Sequence, residues 1–281
     1  MYSLGDIKKS NIFNAIKIKT SLSYPYLSHS HLFFCSFQKS GRTWVRFLLA
    51  NYLNKFYNFN LDVTLLNLFS ILPPLSDKKL IKSSYKLFRK NNLPLIFFTH
   101  SRFNKYLFNT KKIVFMHRSV YDTMVSFFFH NSQHHKKFDG DIKEFIRDEK
   151  FGTKKWINYI NSWSSYIIDS KNPTHIISYE NLSNDTNYEV LRLLKFLNIP
   201  VNKSILDLCI EESRFEKMKK VELKSGIANH VYDKSSKNAR RVRSGKIGEY
   251  SKYLDSRDIK HINLECNKSL SLKSKELVNF N

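Results

Sequence analysis

Lys39-Ser40-Gly41-Arg42-Thr43 follows the apolar run Phe33-Phe34-Cys35 and precedes Val45, Phe47, Leu48, Leu49 and Tyr52, which recur at helical spacing. A strand, a turn with one glycine and a helix opening near Thr43 make an anion site. The first helical turn leaves its N–H groups free, and the helix dipole favours negative charge there. Lys39 and Arg42 add side-chain charge, so the chemistry to expect is the holding of a phosphate or a sulfate. The lysine comes before the glycine, so the GxxxxGK[ST] loop of nucleoside triphosphatases is absent. The plain alternative is a strand–turn–helix corner with two solvated cations.

Other residues could serve the same anion. His100 follows Thr99 at the end of the run Leu95-Ile96-Phe97-Phe98, and a neutral imidazole accepts a proton near neutral pH. Arg118 and Ser126 are eight residues apart across an expected strand–helix junction, so a cation and a hydroxyl can face one anion. Tyr179-Glu180-Asn181 closes a further apolar run. Ser213-Arg214-Phe215 offers an aromatic ring with polar neighbours. Arg243-Ser244-Gly245-Lys246-Ile247-Gly248 is a basic, glycine-containing turn late in the chain. His130, His134 and His135 have the spacing of a metal site, but no carboxylate or cysteine accompanies them, which favours a solvated or acceptor-lining role.

The elements that must position these groups are legible. Strands are expected at 31–37, 95–100, 112–117 and 175–178. Helices are expected at 43–57, 76–90 (capped by Ser76 or Asp77), 121–130, 156–168, 189–197, from 203 onward and from Ser256 to Leu264. The stripe Trp156, Ile157, Ile160, Trp163, Ile167 reads as core. The alternation predicts a single α/β domain with a central, mainly parallel sheet and helices on both faces. Ligands of such sheets sit beyond the carboxyl ends of the strands. The expected strands all end in polar pairs, Lys39-Ser40, Thr99-His100, Arg118-Ser119 and Tyr179-Glu180, which predicts one shared site. Residues 1–30 read as an extension, and 222–244 as a long basic loop.

Composition bounds the rest. The 281 residues carry a net charge of +23, which attracts a polyphosphorylated cofactor, an acidic polymer or an anionic membrane surface. Three scattered cysteines without metal spacing point to free thiols in a reducing compartment. There is no run of membrane-spanning length and no signal-peptide core. A cytoplasmic protein is expected.

In this order the motifs resemble those of the sulfotransferases that use 3′-phosphoadenosine 5′-phosphosulfate (PAPS). Lys39-Ser40-Gly41-Arg42-Thr43-Trp44 is similar to the family's PKSGTTW loop, Arg118 with Ser126 to its RxxxxxxxS pair, and Tyr179-Glu180-Asn181-Leu182 to its YEDL element. Arg243-Ser244-Gly245 with Gly248 resembles RKGxxGxW, and Thr99-His100 the strand end with the catalytic base. The resemblance implies a P-loop NTPase-like fold over 31–281 and PAPS as co-substrate without a metal. It implies Lys39 and His100 as catalytic residues. Lys39, Ser40, Gly41, Arg42 and Thr43 would bind the 5′-phosphosulfate. Trp44, Tyr179, Ser213 and Phe215 would bind the adenine. Arg118, Ser126, Arg243, Ser244 and Gly245 would bind the 3′-phosphate. The acceptor would be a hydroxyl or amine of a small molecule, lipid or carbohydrate.

The chain departs from the pattern at Gln38 (usually Pro), Arg42 (Thr), Phe98 (in many members a second catalytic Lys), Ser244 (Lys) and Tyr250 (Trp). No KxxxTVxxxE dimer motif is present near the C-terminus, so the oligomeric state is open. Two other readings share part of the pattern. A nucleotide-binding phosphotransferase would need the missing Gly-Lys-Ser/Thr end and an acidic Mg²⁺ ligand. A basic nucleic-acid-binding protein would rest on charge alone and would show steep salt dependence.

Overall fold

The computed structural model describes residues 32–109, 111–227, 232–233 and 235–280. The extension expected at 1–30, and His31 at the head of the first strand, lie outside the described residues. The fold is a single α/β domain on four parallel strands, β1 (Leu32–Ser36), β2 (Ile96–Thr99), β3 (Lys112–His117) and β4 (Thr174–Ser178), in the order β2-β1-β3-β4. Every residue of β1 is buried. Its unbroken apolar run is what a parallel strand needs when both faces are covered.

The chain leaves β1 for β2 on one side, then crosses to β3 on the other. Right-handed crossovers then place the connecting helices on opposite faces. They also open a crevice beyond the carboxyl ends of β1 and β3, where ligands of such sheets bind. Helix α1 (Arg42–Phe56) starts at this crevice, and α2 (Leu68–Ile71) and α3 (Lys78–Lys90) follow before β2. Asp77, not Ser76, caps α3 by accepting the Leu80 N–H at 3.0 Å.

Helix α4 (Lys105–Phe108) lies between β2 and β3. Helix α5 (Val120–Phe129) then leaves β3 and runs into a π-helical turn at His130–His134. After α6 (Ile142–Arg147), α7 (Thr153–Asp169) buries the aromatic stripe predicted for it. Trp163 Nε1 donates to the Ser101 carbonyl at 3.1 Å, which ties α7 to the chain just beyond His100. Helix α8 (Tyr179–Asn184) begins directly at the end of β4, and α9 (Thr186–Phe196) and α10 (Lys203–Glu212) follow.

Three expectations are corrected. The basic loop does not begin at Glu222, because α11 (Phe215–Ser225) runs through it. Met218 and Glu222, one helical turn apart, are the buried positions of that helix, so one carboxylate is drawn inward with an apolar neighbour. The C-terminal helix α12 extends from Ser256 to Ser269, and its cap is Asp255, which accepts the Arg257 and Asp258 N–H groups at 2.8 and 3.0 Å. A last helix, α13 (Leu272–Val278), was not expected. All three cysteines are buried and free. Among the described residues no helix is long and apolar enough to cross a membrane.

Phe98 in β2 is core rather than chemistry. Its ring stacks on Phe34 at 4.6 Å, and the Arg46 guanidinium lies 4.1 Å from its centroid. Phe98→Lys would bury a second cation beside Arg46 without a partner. It is expected to cost at least about 3 kcal/mol, read as a lower urea midpoint at unchanged slope.

Candidate active site

Beyond β1 the backbone is forced into an unusual shape. Lys39 has φ 67° and Gly41 φ 97°. A lysine in the left-handed region is uncommon, and such strain gathers at functional sites. A side chain on Gly41 would collide with the Tyr179 ring, so the glycine lets the loop close against the head of α8. Gly41 is also the N-cap of α1, with no side chain to give and no acidic residue in the first turn. The N–H groups of the first turn are left for a ligand.

A cavity of about 510 Å³ opens here, within the range of small-ligand sites. The loop after β1 supplies Lys39, Gly41, Arg42, Thr43 and Trp44. His100 comes from the end of β2, Arg118 and Ser126 from the β3–α5 junction, and Tyr179 from the head of α8. Ser213 and Phe215 come from the α10–α11 corner, and Arg243, Ser244 and Gly245 from the late turn. The strand ends therefore meet as expected. Ser40 sits behind the wall, buried, with its hydroxyl unpartnered.

The two arginines expected to share an anion are held from behind. Arg118 Nη2 donates to the Lys246 carbonyl at 2.9 Å and lies 3.6 Å from Asp122, with its guanidinium 4.2 Å from the Tyr179 ring. Tyr179 in turn donates its hydroxyl to the Gly245 carbonyl at 3.1 Å. Arg243 lies 3.3 Å from Glu249 and 4.6 Å from the Phe129 ring. Gly245 has φ 68°, and a Cβ there would stand 2.6 Å from the Phe215 ring. Ser213 is less available than expected, since its hydroxyl donates to the Cys209 carbonyl at 2.6 Å. Arg42 Nη1, Trp44 Nε1, Arg118 Nε and Arg243 Nε are buried without hydrogen-bond partners. Orphaned donors in such number suit a ligand rich in anionic oxygen.

His100 is held in one tautomer. Its Nδ1–H donates to the Ser36 carbonyl at 2.8 Å, which leaves the Nε2 lone pair free. Burial first, and the Arg42 charge second, hold its pKa well below 6.5, although the Ser36 bond acts the other way. Burial and the neighbouring Arg241 likewise pull Lys39 well below the usual lysine value. An arriving anion would reverse that pressure.

Three residues escaped the sequence reading. Asp122 accepts the N–H groups of Gly248 and Tyr250 at 2.8 and 3.1 Å, fastening the late turn to α5 as it faces Arg118. Its position four residues after Arg118, in the first turn of α5, was the available signal. Glu222 accepts the N–H groups of Arg241 and Val242, each at 2.7 Å, and the Tyr232 hydroxyl. Arg241 lines the cavity beside Lys39. The histidines are not solvated: His130 and His134 are buried, and His130 and His135 line the cavity. The three offer ring nitrogens within 4.8 Å of one another. After burial, Lys39 and Arg241 lead the charges that depress His130, and the same field opposes a divalent cation there.

Residues 29–274 match the family model for the sulfotransferase domain. The chain belongs to the sulfotransferase family. Among curated members, human sulfotransferase 1C2 is 22% identical over 151 residues, covering 52% of this chain and 50% of that protein. Cytosolic sulfotransferase 7 of Arabidopsis thaliana is 29% identical over 198 residues, covering 62% and 60%. The chain thus spans about half to three-fifths of the length of these relatives. The solved structure of mouse sulfotransferase SULT7A1 complexed with PAP shares the fold at a TM-score of 0.64. It is 20% identical, with 93% of this chain and 92% of that one covered.

Glu222→Ala would strand two backbone N–H groups and remove the carboxylate whose charge acts on Lys39 and Arg241. A loss of about 3 kcal/mol is expected, measured by denaturant unfolding of the ligand-free protein.

Proposed function

We propose that this protein transfers the sulfuryl group of PAPS to a hydroxyl or amine of a small-molecule, lipid or carbohydrate acceptor. The observation that carries the reading is His100, held in one tautomer by Ser36 and kept neutral, in the same cavity as Lys39 and the glycine turn. The family, and a relative solved with PAP (3′-phosphoadenosine 5′-phosphate), support it.

When bound, the co-substrate supplies the sulfuryl group: the acceptor oxygen bonds to sulfur as the sulfur–oxygen bond to the 5′-phosphate breaks, and that electron pair stays on the phosphate. His100 Nε2 takes the proton leaving the acceptor. Lys39, with the N–H groups of Ser40 to Thr43, stabilises the charge left on the 5′-phosphate, so the chain's own cations suffice without a metal. Trp44, Tyr179 and Phe215 hold the adenine, with Ser213 at the edge of that pocket. Arg118, Ser126, Arg243, Ser244 and the Gly245 N–H hold the 3′-phosphate. Free buried cysteines and the relatives named above fit a cytoplasmic protein.

PAP should raise the melting temperature of the wild type, because a ligand at a hundredfold excess over its Kd adds about 2.7 kcal/mol. Lys39→Ala and Arg118→Ala should shrink the rise, and no rise in the wild type overturns the cofactor assignment.

His100→Ala should lower kcat by about 10²–10⁴-fold while PAP still binds. The active form of His100 is the neutral one. With a pKa well below 6.5, the rate stays level near pH 7 and falls only on acidification through that lowered value. Arg42→Ala removes the second cause of the depression, so the acid limb of kcat should move upward in pH.

A further inference from the structure

Arg241 has no part in the chemistry assigned so far. It lines the cavity together with Lys39 and His100. The two arginines assigned to the 3′-phosphate each have a carboxylate, Asp122 at 3.6 Å from Arg118 and Glu249 at 3.3 Å from Arg243. Among the described residues no carboxylate pairs with the Arg241 guanidinium. Glu222 commits both its oxygens elsewhere. One accepts the Arg241 N–H and the Tyr232 hydroxyl, and the other accepts the Val242 N–H. The carboxylate therefore fixes the backbone of Arg241 and leaves its side-chain fork of donors to the cavity.

The sheet orders that cavity. The strands run β2-β1-β3-β4, so the groups at their ends follow as His100, Lys39, Arg118 and Tyr179. At the usual strand spacing His100 and Tyr179 leave the sheet about 14 Å apart. The adenine pocket of Trp44, Tyr179 and Phe215 lies toward one end of this row and the base at the other. A co-substrate laid along it brings its transferable group between Lys39 and His100.

The backbone of Arg241 is tied to that second end. The Phe127 ring, near the end of α5, lies 5.2 Å from the ring of Phe37, two residues before Lys39. The π-helical turn that continues α5 brings His130 to the cavity wall, with His135 just after it. His134 of the same turn donates its Nδ1–H to the Ala239 carbonyl at 2.7 Å, and its ring lies 4.4 Å from the Tyr232 ring. Ala239 precedes Arg241 by two residues, and Tyr232 shares its Glu222 anchor. The charges agree with this placement, since Arg241 acts on both Lys39 and His100.

The residues assigned to the phosphosulfate all come from the one loop after β1. A sulfuryl group presents three oxygens, and in-line transfer needs its sulfur aimed at the acceptor oxygen. Strand β2 offers no cation for this, since Phe98 is core. A guanidinium meets two oxygens at once with its planar fork. We infer that Arg241 holds two sulfuryl oxygens of bound PAPS and so aims the sulfur at the acceptor. This rests on the sulfotransferase reading above. The bonds made and broken are unchanged: the sulfuryl group passes to the acceptor oxygen, the electron pair stays on the 5′-phosphate, and the proton goes to His100.

PAP and PAPS differ only in the sulfuryl group, so their affinities isolate this role, and no acceptor is needed. Each is titrated by calorimetry into the full-length wild type, Arg241→Met and Arg241→Lys, and the PAPS is checked as intact by chromatography afterwards. Arg241→Met should weaken PAPS by about tenfold or more, the scale of a lost charge-assisted hydrogen bond, and PAP by about threefold or less. Arg241→Lys keeps the charge and loses the fork, so its affinity for PAPS should fall between the other two, and it serves alone if Arg241→Met does not fold. Equal weakening of PAPS and PAP, or of neither, overturns the inference. So does a wild type that binds PAP and not PAPS. Failure of the wild type to bind PAP overturns the sulfotransferase reading beneath it.

Discussion

Like charges buried side by side are the constraint that the rest of the site answers to. Lys39, Arg42 and Arg241 line one cavity; burial pulls all three below their ordinary pKa values, and the Arg241 charge adds to the pull on Lys39 and Arg42. Two such charges at ~8 Å repel by about 2 kcal/mol at an effective dielectric constant near 20. Three devices keep the buried cations of this region in place. Parallel strand ends fix the backbone from which the side chains reach. Aromatic faces accept guanidinium groups: Tyr179 under Arg118, Phe129 under Arg243, Phe69 and Phe98 around Arg46. The carboxylates Asp122 and Glu222 each anchor two backbone N–H groups as well as facing a cation, so they secure the loop that carries the charge. Cations gathered in this way favour an anion in the cavity.

The sheet was legible because a parallel strand covered on both faces must be continuously apolar, and Leu32–Ser36 and Lys112–His117 show it with clear polar ends. The loop was legible because its task demands a glycine and a cation in a fixed order. What stayed hidden was whatever depends on a partner far along the chain. Glu222 looked like one more charge in a basic stretch, since nothing local says that the Arg241 and Val242 N–H groups will fold back to it. Asp122 is separated by 126 residues from the Gly248 N–H that it accepts. For His130 and His134 a solvated and an acceptor-lining role both stayed open, because the π-helical turn that draws them inward has no sequence period of its own. Arg46 drew no reading from the sequence, since the rings that receive it come from α2 and β2.

The departures from the family pattern make sense together once their packing is seen. Tyr250 keeps an aromatic ring against Tyr121 at 4.9 Å, and its N–H still reaches Asp122, so a smaller ring preserves the anchor of the late turn. Ser244 adds no cation to the turn, and the neighbouring Arg243 keeps Glu249 at 3.3 Å as its carboxylate. At position 98 a charge is absent from the strand, and the ring that stands there joins Phe34 in the core. A cation comes to the same place from α1, on the longer arm of Arg46. A lysine on the strand would extend from the same backbone as His100, two residues away. An arginine reaching over from the helix is set by the aromatic rings it lies between, and its fork of donors can meet two oxygens at once. Moving the charge from strand to helix therefore leaves the backbone of His100 and of the loop after β1 as they are.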